Sequence, residues 1–108
     1  MEALEKEVQT KIVRDNIEFL ILKIVNQQPA HGYQIMTAIN KTYNTQNGPS
    51  IIYPTLTQLE QKEQLTSTWD TTALRARKIF TITPQGQKFL ETFQTTLNQF
   101  HTTTTNPL

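Results

Sequence analysis

Asn47-Gly48-Pro49-Ser50-Ile51-Ile52-Tyr53-Pro54-Thr55-Leu56-Thr57-Gln58-Leu59-Glu60-Gln61-Lys62-Glu63-Gln64-Leu65 decides how the rest of the chain is read. Asn47-Gly48-Pro49 is a turn signal. The Ser50 hydroxyl can accept a hydrogen bond from an unpaired N–H of a first helical turn, so the stretch predicts a helix capped at Ser50. Pro54 falls at about the fourth helical position, the end of the zone a proline tolerates, which predicts a slight kink or a tight first turn. Ile52, Leu56 and Leu59 recur at intervals of four and three and face a core, whereas Ile51, Thr55, Gln58 and Lys62 recur on the opposite side. Amides and hydroxyls of that size, with Lys62 as the one full charge, suit base edges and phosphates in a DNA major groove. A merely solvated helix face has the same periodicity, so the pattern alone leaves both readings open.

Working outward, 108 residues make one domain with room for a core of three or four helices, and a chain of this size gains considerably from dimerisation. With no cysteine, the chain has no disulfide framework, thiolate metal site or cysteine nucleophile. Met1-Glu2-Ala3-Leu4-Glu5-Lys6-Glu7 has no apolar signal region, and no run approaches the roughly 18 apolar residues of a membrane span, so a cytoplasmic protein with no membrane partner is expected. The net charge of +1 offers no general attraction to polyanions. Any nucleic-acid binding must rest on local clusters of charge.

Upstream, Leu4, Val8 and Ile12 stand four apart among charges, giving residues 1–13 as an amphipathic helical extension. Asp15 with Glu18 has the form of a capping box, followed by Ile17, Leu20, Ile21, Ile24 and Val25 on one face; Phe19 and Leu22 lie off that stripe and predict a second buried surface. Asn26-Gln27-Gln28-Pro29 ends this helix. A second begins at His31, with Ile35, Met36 and Ile39 inward, and a short loop from Asn44 to Gly48 joins it to the Ser50 helix. Two helices joined by a brief loop, the second with a polar outer face, outline a helix-turn-helix.

Downstream, the period changes to two over residues 66–69 and 78–83, a hairpin with a long tip. Arg75, Arg77 and Lys78 cluster at the tip and its exit, with Asp70 nearby to oppose them. Such a basic hairpin beside a helix-turn-helix is a wing, whose natural partner is the phosphate backbone or the minor groove. Thr83-Pro84 then starts a last helix carrying Gly86, Leu90, Phe93, Leu97 and Phe100 at alternating intervals of four and three, with Phe89 flanking. Phe89, Leu90, Phe93, Leu97 and Phe100 are read as a dimer interface, the alternative being packing against the chain's own first core helix.

Three blocks, His31-Gly32-Tyr33-Gln34-Ile35, then Ser50-Ile51-Ile52-Tyr53-Pro54-Thr55-Leu56 with Leu59-Glu60, then Arg75, Arg77, Lys78, Phe80, Ile82, Thr83 and Gly86, resemble the PadR family of transcriptional regulators in residues, order and spacing. The resemblance covers residues 14–100. It implies a mainly α protein with a small β-hairpin: a winged helix-turn-helix (14–83) flanked by N- and C-terminal dimerisation helices, the latter at 84–101, with a disordered tail at 102–108. It also implies a homodimeric repressor that leaves its operator when a small effector binds. The chain departs from the family pattern where Gln64 replaces a glycine, so that a β-carbon in a left-handed helix cap costs about 1 kcal/mol or the helix ends differently. In the wing, Leu74 and Ala76 replace glycine and proline, and Ile79 and Phe80 replace tyrosines.

By face and by resemblance, Ser50, Tyr53, Thr55 and Gln58 are expected near the groove, and Lys41, Lys62, Arg75, Arg77 and Lys78 on phosphates. The Tyr53 ring has a second option, packing against the preceding helix with only its hydroxyl toward DNA. His31 is read as a helix-start residue, since neither it nor His101 has an acidic cluster beside it; no metal, cofactor or catalytic site is expected. Trp69 either fills the hinge between hairpin and core or, with Phe89 and Phe93, lines a cavity for a small planar aromatic ligand. Sequence-specific double-stranded DNA binding is thus the leading reading, and a winged-helix protein-interaction module without operator recognition the alternative.

Overall fold

In the computed structural model, residues 2–72 and 74–102 are described. Five helices and three short strands follow in the order α1 (Glu2–Asp15), α2 (Ile17–Gln27), β1 (Ala30–His31), α3 (Gly32–Tyr43), α4 (Pro49–Gln61), β2 (Leu65–Asp70), β3 (Arg77–Ile82) and α5 (Pro84–Thr102). The capping box expected at Asp15 does not form. Asp15 closes α1, paired with Lys11 at 3.2 Å, and Asn16 breaks the chain there, its amide donating back to the Ile12 carbonyl at 2.7 Å. α2 is buried on both sides as its composition requires: Phe19, Leu20, Ile21, Leu22 and Val25 all lie in the core.

α3 starts at a reciprocal cap built by His31. Its Nδ1 accepts the Gln34 backbone N–H at 3.4 Å, and Gln34 Oε1 accepts the His31 N–H at 3.1 Å. The helix ends at Asn44, which takes the left-handed conformation at φ 53°. The turn into α4 is held by a buried polar knot. Asn40 Oδ1 accepts the backbone N–H (2.8 Å) and side-chain amide (3.1 Å) of Asn47, Asn40 Nδ2 donates to the Asn47 carbonyl (2.9 Å), and the Thr45 hydroxyl donates to Asn40 Oδ1 (3.3 Å). Asn47 and Thr45 are 2% and 5% exposed, so these bonds replace water that cannot reach them.

α4 begins two residues earlier than the Ser50 cap requires. Gly48 occupies the capping position without a side chain, Pro49 takes the first helical position where its missing N–H costs nothing, and Ser50 is the second residue of the helix. Pro54 therefore sits deeper than expected, inside a helix that nonetheless runs on to Gln61. At the far end the left-handed residue is Glu63, φ 61°, not Gln64. Gln64 is instead buried, with its carbonyl accepting the Thr83 N–H at 3.1 Å.

β2 and β3 pair antiparallel from Leu65↔Ile82 to Asp70↔Arg77, within one or two residues of the expected hairpin. β1 was not foreseen from the sequence: two residues pair Ala30↔Phe80 and His31↔Ile79, giving the sheet order β1-β3-β2. Thr83 caps α5, its hydroxyl accepting the Gly86 N–H at 3.0 Å. Gly86 is glycine because any β-carbon there would collide with the Gln64 carbonyl oxygen. The fold is thus mainly helical with a three-stranded antiparallel sheet, a winged helix-turn-helix in which α3 and α4 form the two-helix unit and β2–β3 the wing. Residues 103–108, most of the tail expected to fray, lie outside the described residues.

Candidate nucleic-acid interface

The surface of α4 follows from which of its residues the core takes. Ile52, Thr55, Leu56 and Leu59 are buried, a stripe at intervals of three, one and three that fixes the helix rotation. Ser50, Tyr53, Pro54, Thr57, Gln58 and Gln61 consequently face outward. Thr55 is a correction to the expected groove face: it is 8% exposed, and its hydroxyl donates to the Ile51 carbonyl at 2.8 Å. A threonine satisfied within its own helix can occupy a core position, which the polar label of its side chain conceals. Ser50, Tyr53 and Gln58 do reach the outer face.

Tyr53 takes the option of packing on the preceding helix. A β-carbon at Gly32 would fall 2.5 Å from Tyr53 Cε1, so the glycine of the histidine-glycine-tyrosine block clears room for that ring. Tyr53 is still 43% exposed, and beside it Tyr33 and Trp69 are each 63% exposed.

The basic residues fall into two groups. Lys41, in the last turn of α3, and Arg75, at the wing tip, are exposed with no ion pair among the described residues. The others are tethered. Lys62 reaches Glu18 at 3.0 Å, and Lys78 reaches Glu60 at 3.4 Å, with its ammonium also 5.8 Å from the Trp69 ring centroid. Glu60 is held in turn by the Ser67 hydroxyl at 2.7 Å. Arg77 Nη1 lies 3.0 Å from His31 Nε2. Partial desolvation, and then the Arg77 charge, lower the His31 pKa against the opposing pull of Asp70, so the neutral imidazole is favoured. Asp70 starts the wing tip by accepting from the Thr72 hydroxyl (2.6 Å) and N–H (3.0 Å), bonds that hold its carboxyl below the usual range.

Between α3, α4 and the wing lies an open cleft of about 510 Å³, bordered by His31, Tyr33, Tyr53, Glu60, Trp69 and Arg77. Trp69 belongs to it; Phe89 and Phe93 do not. Those two pack against α2 instead, Phe93 stacked on Phe19 with centroids 4.4 Å apart and Phe89 6.0 Å from Phe93, so the three aromatics do not form one cavity in this chain. The predicted dimer seam divides for the same reason. Phe89, Leu90 and Phe93 pack half-buried against the chain's own core, Leu97 is likewise half-buried, and Phe100 is 77% exposed. The residues on the cleft and on the outer face of α4 that the periodicity left unassigned are Tyr33, Thr57, Gln61 and His31; rotating the α4 stripe by one position would have found Thr57 and Gln61.

Among the described residues no group of three or more histidines, cysteines or acids could hold a metal ion, and no helix is long and apolar enough to cross a membrane. The PadR-like transcriptional regulator family model matches residues 21–92, which take in α3, α4, the wing and the first half of α5. The chain belongs to that family. Solved PadR-like relatives include a regulator from Bacillus cereus strain ATCC 14579, 29% identical over 86% of this chain and 91% of that one, with a TM-score of 0.76. A protein of Streptococcus mutans UA159 is 30% identical over 81% and 80% of the two chains, with a TM-score of 0.71. A PadR family regulator from Eggerthella lenta DSM 2243 shares the fold at 21% identity, 93% and 90% coverage and a TM-score of 0.76. No curated protein matches the chain. The family is one of transcriptional regulators, and the Bacillus cereus and Eggerthella lenta relatives are described as such.

Proposed function

We propose that this PadR-like regulator is a homodimeric, sequence-specific DNA-binding repressor, with α4 in the major groove and the wing on the phosphate backbone. The observation that carries this reading is the outer face of α4, where Ser50, Tyr53, Thr57, Gln58 and Gln61 offer hydroxyls and amides without a fixed charge, bordered by Lys41, Arg75, Arg77 and Lys78. Groups of that kind read base edges, and the basic border neutralises phosphates. Lys62 takes a lesser part, since binding DNA would require it to leave Glu18.

Dimerisation through α1 and the end of α5 is supported by an apolar surface the monomer leaves open. Leu4, Val8 and Ile12 are 52%, 46% and 56% exposed at four-residue intervals on α1, and a second cleft is lined by Ile12, Leu97 and His101. Reading a pseudo-palindromic duplex from one face would require the two copies to hold their α4 helices about 34 Å apart. Release by a small planar aromatic effector is the regulatory part of the proposal, with Trp69 as its optical reporter.

Sedimentation of the protein with a duplex from its own promoter and with a random duplex, at two salt concentrations, tests the reading. A dimer that prefers the promoter duplex is expected. The double variant R75A/R77A should bind far more weakly, with a salt slope shallower by about 2. A monomer, or equal affinity for both duplexes, would refute the operator-binding reading in favour of a protein-interaction module.

A further inference from the structure

The contact between His31 and Arg77 is chemically incomplete. A neutral imidazole has one nitrogen that donates and one that accepts. In the cap of α3, Nδ1 accepts the Gln34 N–H, so the ring proton belongs on Nε2. Nε2 lies 3.0 Å from Arg77 Nη1, and a guanidinium only donates. Two N–H donors therefore converge at the exposed mouth of the cleft, both directed to an oxygen from outside the chain. Placing the proton on Nδ1 instead would satisfy Arg77 but set an N–H against the Gln34 N–H and abolish the cap. Neither tautomer satisfies both contacts; an additional oxygen, accepting from both donors, does.

We propose that His31 is a DNA-backbone contact, its Nε2–H and the Arg77 guanidinium jointly holding one phosphate oxygen. The inference rests on the duplex-binding reading above and extends it to a residue whose sequence role is only to start a helix. The surroundings suit an anion. Lys78 lines the same cleft with its charge over Trp69; of the two acids nearby, Glu60 is engaged by Ser67 and Lys78, and Asp70, which faces Arg77 across the hairpin, is engaged by the Thr72 hydroxyl and N–H. The pairing of His31 with Ile79 across the sheet keeps the imidazole in register with Arg77, two residues along the same strand. Because the imidazole is neutral, it contributes a hydrogen bond without releasing a counterion, which distinguishes it from the arginine beside it.

The test is fluorescence anisotropy with a promoter duplex and a random duplex over a series of salt concentrations, for the wild type, H31N, H31S, R77Q and the H31N/R77Q pair. Asparagine and serine are both good N-caps, so α3 keeps its start while the Nε2–H is lost, and thermal melting of both variants reports whether the cap is retained. H31N and H31S should each weaken binding about tenfold, the loss of one hydrogen bond to a charged oxygen, with an unchanged salt slope. R77Q should make the slope shallower by about 0.9. The loss should be equal on both duplexes, because a phosphate carries no sequence, and H31N/R77Q should lose less than the product of the two single effects, because one oxygen serves both donors. Wild-type affinity in both capping variants, or a loss confined to the promoter duplex, would overturn the phosphate role while leaving the regulator reading intact. A wild-type protein that binds neither duplex would overturn both.

Discussion

Replacing Asn40 with alanine should be among the most damaging single changes to the helix-turn-helix, although Asn40 is only half-buried and touches no expected DNA contact. Its side chain makes four hydrogen bonds: two accepted from Asn47, one accepted from Thr45 and one donated to the Asn47 carbonyl. A neutral hydrogen bond contributes about 1 kcal/mol net, but a buried donor stripped of its partner costs about 1–3 kcal/mol. The Asn47 amide still donates to the Thr45 hydroxyl oxygen at 3.1 Å, which limits the damage to the Asn47 N–H and carbonyl and the Thr45 hydroxyl proton. The sum is about 3 kcal/mol, or a fall in melting temperature of roughly 10–15 °C for a domain of this size. Chemical denaturation of N40A, N47A and the double variant measures it. Of these bonds only the one from the Asn47 side-chain amide to Asn40 Oδ1 joins the two side chains, the other two using the Asn47 backbone, so the double variant should fall short of additivity by about that one bond, a coupling energy of about 1 kcal/mol. A loss below about 0.5 kcal/mol in N40A, or full additivity, would refute the knot as the support of the turn.

Two further outcomes follow from the same structure. G86A places a β-carbon against the Gln64 carbonyl and should destabilise the fold by about 1–3 kcal/mol despite alanine's better helix propensity, as read from a denaturant melt; a stabilised variant would contradict that close approach. The lowered His31 pKa gives a pH dependence of definite sign: the unfolded chain binds this proton more tightly, so the contribution is complete above the ordinary value of about 6.5 and is lost as pH falls from there toward the folded-state value. Melting H31N alongside the wild type between pH 7.5 and about 5.5 should show a shallower decline in the variant, and parallel curves would contradict the assignment.

How far the fold was legible depended on whether a residue's partners lay within its own helix. Ile52, Leu56 and Leu59 announced their burial by spacing alone, and Thr83-Pro84 announced the start of α5. Thr55 misled because its hydroxyl is satisfied four residues back, invisibly to a pattern of polar and apolar types. Ser50 misled because a better-placed glycine-proline pair starts the helix first. β1 was illegible: two residues carry no period, and their pairing with Phe80 and Ile79 is set by tertiary contact. At the interface, Arg75, Arg77 and Lys78 stood out as a charge cluster, whereas the position of Arg77 against His31 joins residues 46 apart in sequence and needed the folded sheet. The aromatic seam of α5 showed its period but left its partner open between a second copy and the first core helix, because the stacking of Phe93 on Phe19 appears only once α2 and α5 are packed.

The junction between α4 and α5 has one more consequence. The Thr83 hydroxyl donates to the Glu63 carbonyl at 2.7 Å, Gln85 Nε2 donates to the Lys62 carbonyl at 3.1 Å, and Gly86 rests directly on Gln64. The foot of one helix is thereby riveted to the head of the other, with the whole wing looped out between them. A torque applied along α5 finds no slack at residues 62–64: it must either shear these bonds or turn α4 with it. The helix that ends at Gln61 and the helix that begins at Pro84 therefore behave as one lever, so a displacement imposed on the far end of α5 is delivered to α4 rather than absorbed between them.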